Sequence, residues 1–239
     1  MILNSTQKQK IIDYTLEAYP NEMCGVCTQD DFIQLKNASE NPLTSFSFDP
    51  VEYAAVVSQV TAIVHSHTKD IYKLDIFDLR TPSPKDWHSQ RTSGKPWLIV
   101  GTEGQNVSEP IQLPRTPSAE YLGRPFIWYV NDCYTLVQDY YRFEFGIILP
   151  PHPHKFDWTA GGLFEDMVDD YVAEIGLERV PVDRERVNGD IVVLSRMGMS
   201  NNHLGIFHDG KILHQDEVSV EVPAYAFANR ISQVLRYAH

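Results

Sequence analysis

The stretch "HLGIFHDGKILHQ", residues 203–215, predicts a β-hairpin and with it the fold of the C-terminal half of the chain. An Asp-Gly pair at 209–210 separates two runs rich in apolar residues, which is the strongest hairpin signal that a short sequence offers. If this pair forms the turn, Gly205 lies directly opposite His214. Alternate residues of a strand share one face, and so do directly paired residues, so His203 and His214 should lie within side-chain reach of each other.

A helix is predicted upstream of the hairpin, over residues 132–146, "DCYTLVQDYYRFEFG". Its apolar residues recur at helical spacing, Asp132 is a typical N-cap residue and Gly146 a typical C-cap residue. Cys133 therefore falls in the first turn, at the positive end of the helix macrodipole, where a thiolate is favoured. A lone cysteine is more often a small buried apolar residue, so the histidines of the hairpin decide between the two interpretations.

Cys133 and the two histidines form a candidate catalytic set. A nucleophile at a helix start, a histidine base and a second histidine that orients the first are the three parts that thiol hydrolases need. Strands are predicted at "DIVVLS" and in both arms of the hairpin. This half is therefore expected to be α+β, with a helix packed on an antiparallel sheet.

Three motifs in this order, "DCYTLVQDYYRFEFGIILP", "GDIVVL" and "HLGIFHDGKILHQ", resemble the NlpC-type cell-wall peptidases. The resemblance covers residues 120–239. It implies a papain-like α+β fold with Cys133 as the nucleophile, His203 as the general base and His214 as its orienting partner. It also implies a substrate, the D-glutamyl to diaminopimelate bond in the stem peptides of peptidoglycan.

The N-terminal half alternates helix and strand, which predicts an α/β layer. A helix over residues 6–18 ends before a proline, and short strands follow at "GVCTQ" and "FIQLK". Asp49, followed by proline, begins a second helix, and Ser83, also followed by proline, begins a third. The β-branched run "TAIVH" predicts a buried strand, and "PWLIVG" predicts another.

His65 and His67, at the end of the "TAIVH" run, form a candidate metal site. Residues two apart on a strand point the same way, so both imidazoles can reach one ion. Asp86 would complete a three-ligand set that leaves one position for water, as in catalytic zinc sites. Glu22 is the candidate general base, because a carboxylate can take the proton of that water and pass it to a leaving amine.

This arrangement resembles the JAMM metalloprotease pattern, in which an early glutamate precedes His-Ser-His and a later Ser-x-x-Asp. The resemblance implies a JAMM/MPN-like zinc domain, with Ser83 hydrogen-bonding the bound water or the oxyanion. Ser83 and Asp86 also form a capping box, which is compatible with that role.

Two departures from the pattern stand out. An unusually long segment separates His67 from Ser83, and Thr68 replaces a common proline. Three aspartates in or near that segment are alternative ligands to Asp86, namely Asp70, Asp75 and Asp78.

Prolines cluster near the middle of the chain, in a stretch without helical or strand periodicity. We interpret residues 113–124 as a linker, residues 1–112 as the α/β zinc domain and residues 125–239 as the thiol peptidase domain.

Composition excludes several classes of function. The net charge of −12 disfavours binding to nucleic acid or to anionic lipid, and no apolar run is long enough for a membrane anchor. The N-terminus lacks the pattern of a secretory signal, so we expect the chain to stay in the cytoplasm or to be exported by other means. Three cysteines are too few for a disulfide scaffold. Cys24 and Cys27 could be redox-active, half of a zinc site or simply packed at a strand.

A JAMM-like domain followed by an NlpC-type domain resembles the tail assembly proteins of lambda-like phages. The resemblance implies other tail-tip proteins as partners and peptidoglycan as substrate. It implies a location in the host cytoplasm during assembly and then at the virion tail tip, with delivery toward the host periplasm. The alternative is a structural tail-tip component or assembly chaperone in which one or both sites are relics.

Overall fold

The computed structural model describes residues 2–69, 78–150, 176–196 and 199–237, with the backbone alone for 196 and 199–202. The chain folds into two compact units, residues 1–116 and 117–239. The boundary between them falls inside the predicted linker. None of the described helices is long and apolar enough to cross a membrane.

The N-terminal unit is an α/β layer built on one five-stranded sheet. Its helices are α1 (Ser5–Ala18), α2 (Pro50–Val56) and α3 (Pro84–Ser93), and its strands are β1 (Cys24–Cys27), β2 (Phe32–Leu35), β3 (Ala62–Thr68), β4 (Trp97–Thr102) and β5 (Ile111–Leu113). The strand order is β2-β1-β3-β4-β5. Only β3 and β4 pair in parallel, and α3 lies in the connection between them, so the predicted alternation of helix and strand is confirmed.

The helix starts of this unit follow from local chemistry. Asn4 accepts the backbone N–H of Gln7, and the Gln7 side chain accepts the N–H of Asn4, which caps α1. Asp49 caps α2 in the predicted way, with proline at the first helical position. The buried apolar residues of one face of the sheet include Ile11, Met23, Phe32, Val64, Leu98 and Val100.

In the part of the C-terminal unit that the structure describes, an α-helix packs on a six-stranded antiparallel sheet. It contains α4 (Cys133–Phe145) and the strands β6 (Leu177–Val180), β7 (Ile191–Arg196), β8 (Met199–His208), β9 (Lys211–Gln215), β10 (Ser219–Pro223) and β11 (Ile231–Tyr237). The strand order is β10-β9-β8-β7-β11-β6. The predicted α+β organisation of this half is confirmed.

Each face of this sheet carries its own apolar cluster. The cluster under α4 includes Leu136, Val137, Tyr140, Tyr141, Val193, Leu204, Ile206 and Leu213. The cluster on the other face includes Val192, Leu194, Ile212, Phe227, Ile231 and Val234. This alternation along β7, β8 and β9 is what a sheet buried on both faces requires.

Two ion pairs, one buried and one partly exposed, join the sheet and the helix to the segments beside them. Arg124 Nη1 lies 2.8 Å from Asp139 Oδ2, which joins the segment before α4 to the helix itself. Arg236 contacts Asp190 through Nε at 2.7 Å and Nη2 at 2.8 Å, which joins β11 to the start of β7. Arg124 belongs to the predicted linker, yet it is buried in this unit.

Candidate active sites

The start of α4 is fixed by one buried carboxylate. Asp132 Oδ1 accepts the N–H of Thr135 at 2.8 Å, which is the predicted N-cap. Asp132 Oδ2 accepts the N–H of Tyr129 at 2.8 Å and holds the preceding turn, in which Tyr129 has a φ of 64°. A non-glycine residue in the left-handed region costs about 1–3 kcal/mol, so the turn needs such a contact. Cys133 is thereby placed between a constrained turn and a capped helix.

The Cys133 thiol is buried and neutral in the resting protein. Burial first, and the Asp132 carboxylate second, raise the pKa of the thiol to about 12, although the backbone N–H groups of Leu204, Tyr134 and Cys133 lower it. The expectation that the helix macrodipole favours a thiolate is therefore wrong for this state, because desolvation outweighs the dipole. A base must take the thiol proton during attack.

Alkylation of Cys133 should report this neutral thiol directly. We expect the rate with iodoacetamide to keep rising from pH 9 toward pH 12, whereas the same cysteine in urea-unfolded protein should level off near pH 9, at the ordinary thiol pKa. Folding raises the pKa of the Cys133 thiol, so the protonated thiol contributes to the free energy of unfolding. This contribution is complete below the unfolded pKa of 9.0 and is lost as the pH rises toward 12. Peptide mass mapping separates Cys133 from the other thiols. A plateau below pH 8 in the folded protein would contradict a neutral thiol.

The two histidines of the hairpin lie in contact, as their spacing predicts. Gly205 pairs with His214 in the β8–β9 ladder, which is the predicted register. His203 Nε2 lies 3.2 Å from His214 Nδ1, and both side chains are buried. The His214 ring also packs edge-on against Phe227, with centroids 5.1 Å apart. The two imidazoles are therefore held in a fixed mutual orientation.

Cys133 meets strand β8 next to the first of these histidines. Its sulfur receives the backbone N–H of Leu204, the residue that follows His203. The contact with His214 engages Nε2 of His203. The structure thus brings the predicted nucleophile and the predicted histidine pair to the middle of β8, where its ladder with β9 ends.

In the N-terminal unit, His65, His67 and Asp86 form a compact buried cluster. The two Nε2 atoms are 3.1 Å apart, His65 Nε2 is 3.1 Å from Asp86 Oδ1 and His67 Nε2 is 3.3 Å from Asp86 Oδ2. Ligand atoms roughly 2.0–2.1 Å from one tetrahedral zinc lie about 3.3 Å apart. The donors and their spacing fit Zn²⁺, and among the described residues this is the group that could hold a metal ion.

Hydrogen bonds orient two members of this cluster. His67 Nδ1 lies 2.7 Å from the carbonyl oxygen of Leu79, so Nδ1 carries the proton and Nε2 is left as the ligand atom. Asp86 Oδ2 accepts the N–H of Ser83 at 2.7 Å, and Ser83 Oγ accepts the N–H of Asp86, which is the predicted capping box. Burial by itself raises the pKa of Asp86, but hydrogen bonds and charge from His65 and His67 hold it well below its usual range.

Glu22 lies just before β1, on the face of the sheet that carries the two histidines. Cys24 pairs with His65, and Met23 exchanges hydrogen bonds with Ser66, so Glu22 comes opposite His67 in the same register. Glu22 is buried and borders a pocket of about 480 Å³ whose lining does not include His65, His67 or Asp86. The shared face and the register with His67 are what the structure adds to its predicted role as a base.

The alternative ligands and the cysteine pair fall outside this cluster. Asp78 forms an ion pair with Arg80, at 2.6 Å, and Asp70 and Asp75 lie outside the described residues. Cys24 and Cys27 are both buried in β1 as free thiols, and burial raises the pKa of each to about 12. Their surroundings match the packing interpretation.

Comparison with known protein families shows a similarity in the C-terminal unit. The NlpC/P60 family matches residues 123–235, and this range contains Cys133, His203 and His214. Residues 123–235 are thus similar to NlpC/P60 domains. The predicted resemblance of this half to NlpC-type proteins is confirmed.

Two curated phage proteins resemble the chain, one over nearly its whole length and the other over two thirds of it. The tail tip assembly protein K of Escherichia phage N15 is 29% identical over 248 residues, which covers 96% of this chain and 95% of the relative. The protein of the same name from Escherichia phage lambda is 29% identical over 164 residues, covering 67% and 72%. The chain is thus similar to a lambda-like tail assembly protein K with an NlpC/P60 domain, as the order of its motifs predicts.

A solved protein of Desulfitobacterium hafniense is 23% identical, with a TM-score of 0.33 over 46% of this chain and 80% of that one. A likeness at this level carries no argument about function.

Several residues around the sites carry no signal in the sequence. Phe46 and Trp97 pack on the ring of His65, Phe227 packs on His214, and the carbonyl of Leu79 holds His67. Each comes from a loop or a neighbouring strand, and only the tertiary fold brings it to its histidine.

Proposed function

We propose that this chain is a tail-tip assembly protein of a long-tailed phage whose C-terminal unit hydrolyses the stem peptides of peptidoglycan. The observation that carries the proposal is the contact between His203 and His214, next to the backbone N–H of Leu204 that the Cys133 sulfur receives. The tail tip assembly proteins that it resembles support the setting, with tail-tip proteins as partners in the host cytoplasm and then in the virion tail. Delivery to the periplasm would bring the unit to its substrate.

The proposed reaction is a two-step acyl transfer. The Cys133 sulfur attacks the scissile carbonyl while its proton moves to His203, and His214 stabilises the imidazolium that forms. Collapse of the tetrahedral intermediate breaks the C–N bond, and His203 returns the proton to the leaving amine. Water then hydrolyses the thioester, with His203 acting as base, and releases the carboxylate. A neutral resting thiol makes the proton acceptor essential to the first step.

Digestion of purified peptidoglycan tests this assignment. We expect the wild-type protein to release stem-peptide fragments with new amino termini and the Cys133→Ala variant to release none, because alanine has no sulfur to attack the carbonyl. Mass spectrometry of the soluble products gives both the activity and the bond. Cys24→Ala, which removes another buried thiol, is the matched control and should keep the activity. Equal digestion by wild type and Cys133→Ala would refute the nucleophile.

The same experiment bears on a second candidate, a structural tail-tip component or assembly chaperone with a relic site. The buried, neutral thiol favours it, because a cysteine without an efficient route for its proton is inert. Wild-type protein that digests no peptidoglycan, while supporting normal tail assembly, would favour this candidate.

For the N-terminal unit we propose a JAMM-like zinc peptidase site that processes a protein of the tail. His65 and His67 would hold Zn²⁺ through Nε2, and Asp86 would hold it through its carboxylate, all three close enough in space to share one ion. When bound, the ion would supply a Lewis acid and lower the pKa of a water. Glu22 would accept a proton and pass it to the leaving amine, and Ser83 would donate a hydrogen bond to an oxygen of the reacting carbonyl.

Metal analysis tests this second site. We expect one zinc ion per wild-type chain and at least about 100-fold weaker zinc binding by His67→Ala, since losing a ligand should cost at least as much as losing an outer-sphere contact. Calorimetric titration and elemental analysis measure the affinity and the stoichiometry. His88→Ala, at an exposed position of α3, should bind as the wild type does. Unchanged binding by His67→Ala would remove this residue from the ligand set.

A further inference from the structure

The loop between β2 and α2 places an aromatic ring on one of the candidate zinc ligands. Phe46 lies 4.6 Å from the ring of His65, centroid to centroid, with an angle of 31° between the planes. Trp97, on β4, meets the same imidazole edge-on at 5.4 Å and contacts Phe46 at 5.5 Å. The ring of His65 therefore packs in a three-ring cluster with one aromatic residue of the loop and one of the sheet.

The loop itself is attached close to the site. Asn37 and Phe48 form a bridge at its base, and the N–H of Ala38 donates to the carbonyl of Ser47. Thr68, the residue after His67, donates through Oγ1 to the carbonyl of Leu43 at 3.2 Å. These contacts seat Phe46 against the end of β3, where both histidines are found.

Aromatic packing of this kind controls how an imidazole can turn. His67 has its ring direction set by the hydrogen bond to Leu79, whereas a ring on the flat face of His65 and another at its edge restrict rotation of that side chain. Rotation would carry Nε2 away from Asp86 Oδ1 and His67 Nε2, each now 3.1 Å away. The apolar rings also exclude water, which strengthens the bonds that a buried ion makes.

We propose that Phe46 is a positioning residue for the zinc ligand His65, so that seating of the 37–48 loop and metal binding favour each other. The inference rests on the proposed zinc site. Coupling of this kind is reciprocal: a seated loop raises the affinity for the ion, and the bound ion stabilises the loop by the same factor. Phe46 touches neither the ion nor a substrate and acts through the imidazole.

The test uses Co²⁺, a spectroscopic probe that adopts the same coordination as zinc. Full-length wild type is compared with Phe46→Leu, with Phe46→Tyr, which restores a ring, and with Phe143→Leu, a control at an exposed phenylalanine of the C-terminal unit. We expect Phe46→Leu to bind Co²⁺ about 10- to 100-fold more weakly and to shift its d–d absorption bands. Phe46→Tyr and Phe143→Leu should keep the wild-type bands and affinity. Wild-type bands and affinity in Phe46→Leu would overturn the proposal.

A second measurement does not depend on the variants folding. Hydrogen exchange of wild-type amides in residues 37–48 should slow when Co²⁺ is added, because the bound ion stabilises the loop. Unchanged exchange in a protein that binds the ion would refute the coupling and leave the zinc site intact. A wild-type protein that binds no Co²⁺ would overturn the zinc site itself, and the role of Phe46 with it.

Discussion

Replacing His203 by alanine is expected to slow peptidoglycan hydrolysis about as far as replacing Cys133, and the double variant should be no slower than either. The loss should be on the order of 10⁴- to 10⁶-fold, because the members of a catalytic set that acts as a unit fail together. The physical reason is the thiol itself. With its pKa raised to about 12 by burial, Cys133 has almost no thiolate at neutral pH unless His203 accepts the proton.

Initial rates on a soluble stem-peptide fragment measure this effect over the required range. His208→Ala is the matched control, since this histidine is also on β8 but contacts the Tyr140 hydroxyl at 2.9 Å instead of His214. It should keep most of the activity. The rate of His214→Ala should lie between those of His203→Ala and His208→Ala, because His214 orients the base and takes no proton from the nucleophile. Losses that multiply in the Cys133 and His203 double variant would mean that the two residues act in separate steps.

Asp139→Ala is expected to lower the free energy of unfolding of the C-terminal unit by about 3–5 kcal/mol. Asp139 and Arg124 are paired at 2.8 Å with side chains only 1% and 9% exposed, so removing the carboxylate leaves a buried guanidinium uncompensated. Arg124 also donates to the carbonyls of Ser118 and Glu120. The segment that leads into α4 should therefore loosen together with the helix.

Urea denaturation of the full chain, followed by a probe in the C-terminal unit, measures this change. Lys211→Ala is the control, because it removes an ion pair with Glu221 in which the lysine is half-exposed. It should shift the urea midpoint little, since exposed ion pairs contribute little to the free energy of unfolding. Asp139→Asn keeps a polar side chain of the same shape, so it should lower the free energy of unfolding less than Asp139→Ala does. Equal midpoints for Asp139→Ala and Lys211→Ala would show that the buried pair adds no stability.

Local geometry made much of both sites predictable. The Asp-Gly turn sets the register of the hairpin, and a period of two then decides that His203 and His214 share a face. The same rule places His65 and His67 together at the end of β3, and caps at Asp132 and Ser83 mark where the helices begin. In each case the controlling residues lie within a few positions of each other, so the sequence contains the information.

The features that escaped prediction depend on distant parts of the chain. The dipole of α4 is local, but burial of Cys133 under the sheet is not, and burial controls the thiol pKa. Arg124 lies in a stretch whose prolines suggest a linker, and only the folded unit shows its carboxylate partner. Phe46 belongs to a loop without periodicity. Its contact with His65 depends on how the loop between β2 and α2 closes over the sheet.

Ser83 both contacts the candidate ligand Asp86 and caps α3, so its conservation in related chains would not by itself indicate zinc chemistry. Its N–H and hydroxyl both bond Asp86, and the two residues together begin α3. Selection for a stable helix alone would therefore preserve the Ser-x-x-Asp pair in a lineage whose zinc chemistry had disappeared. Glu22 begins no helix, so selection for helix stability would not preserve it. In related chains whose site had lost the proposed zinc chemistry, we therefore expect Glu22 to be replaced before Ser83 and Asp86 are.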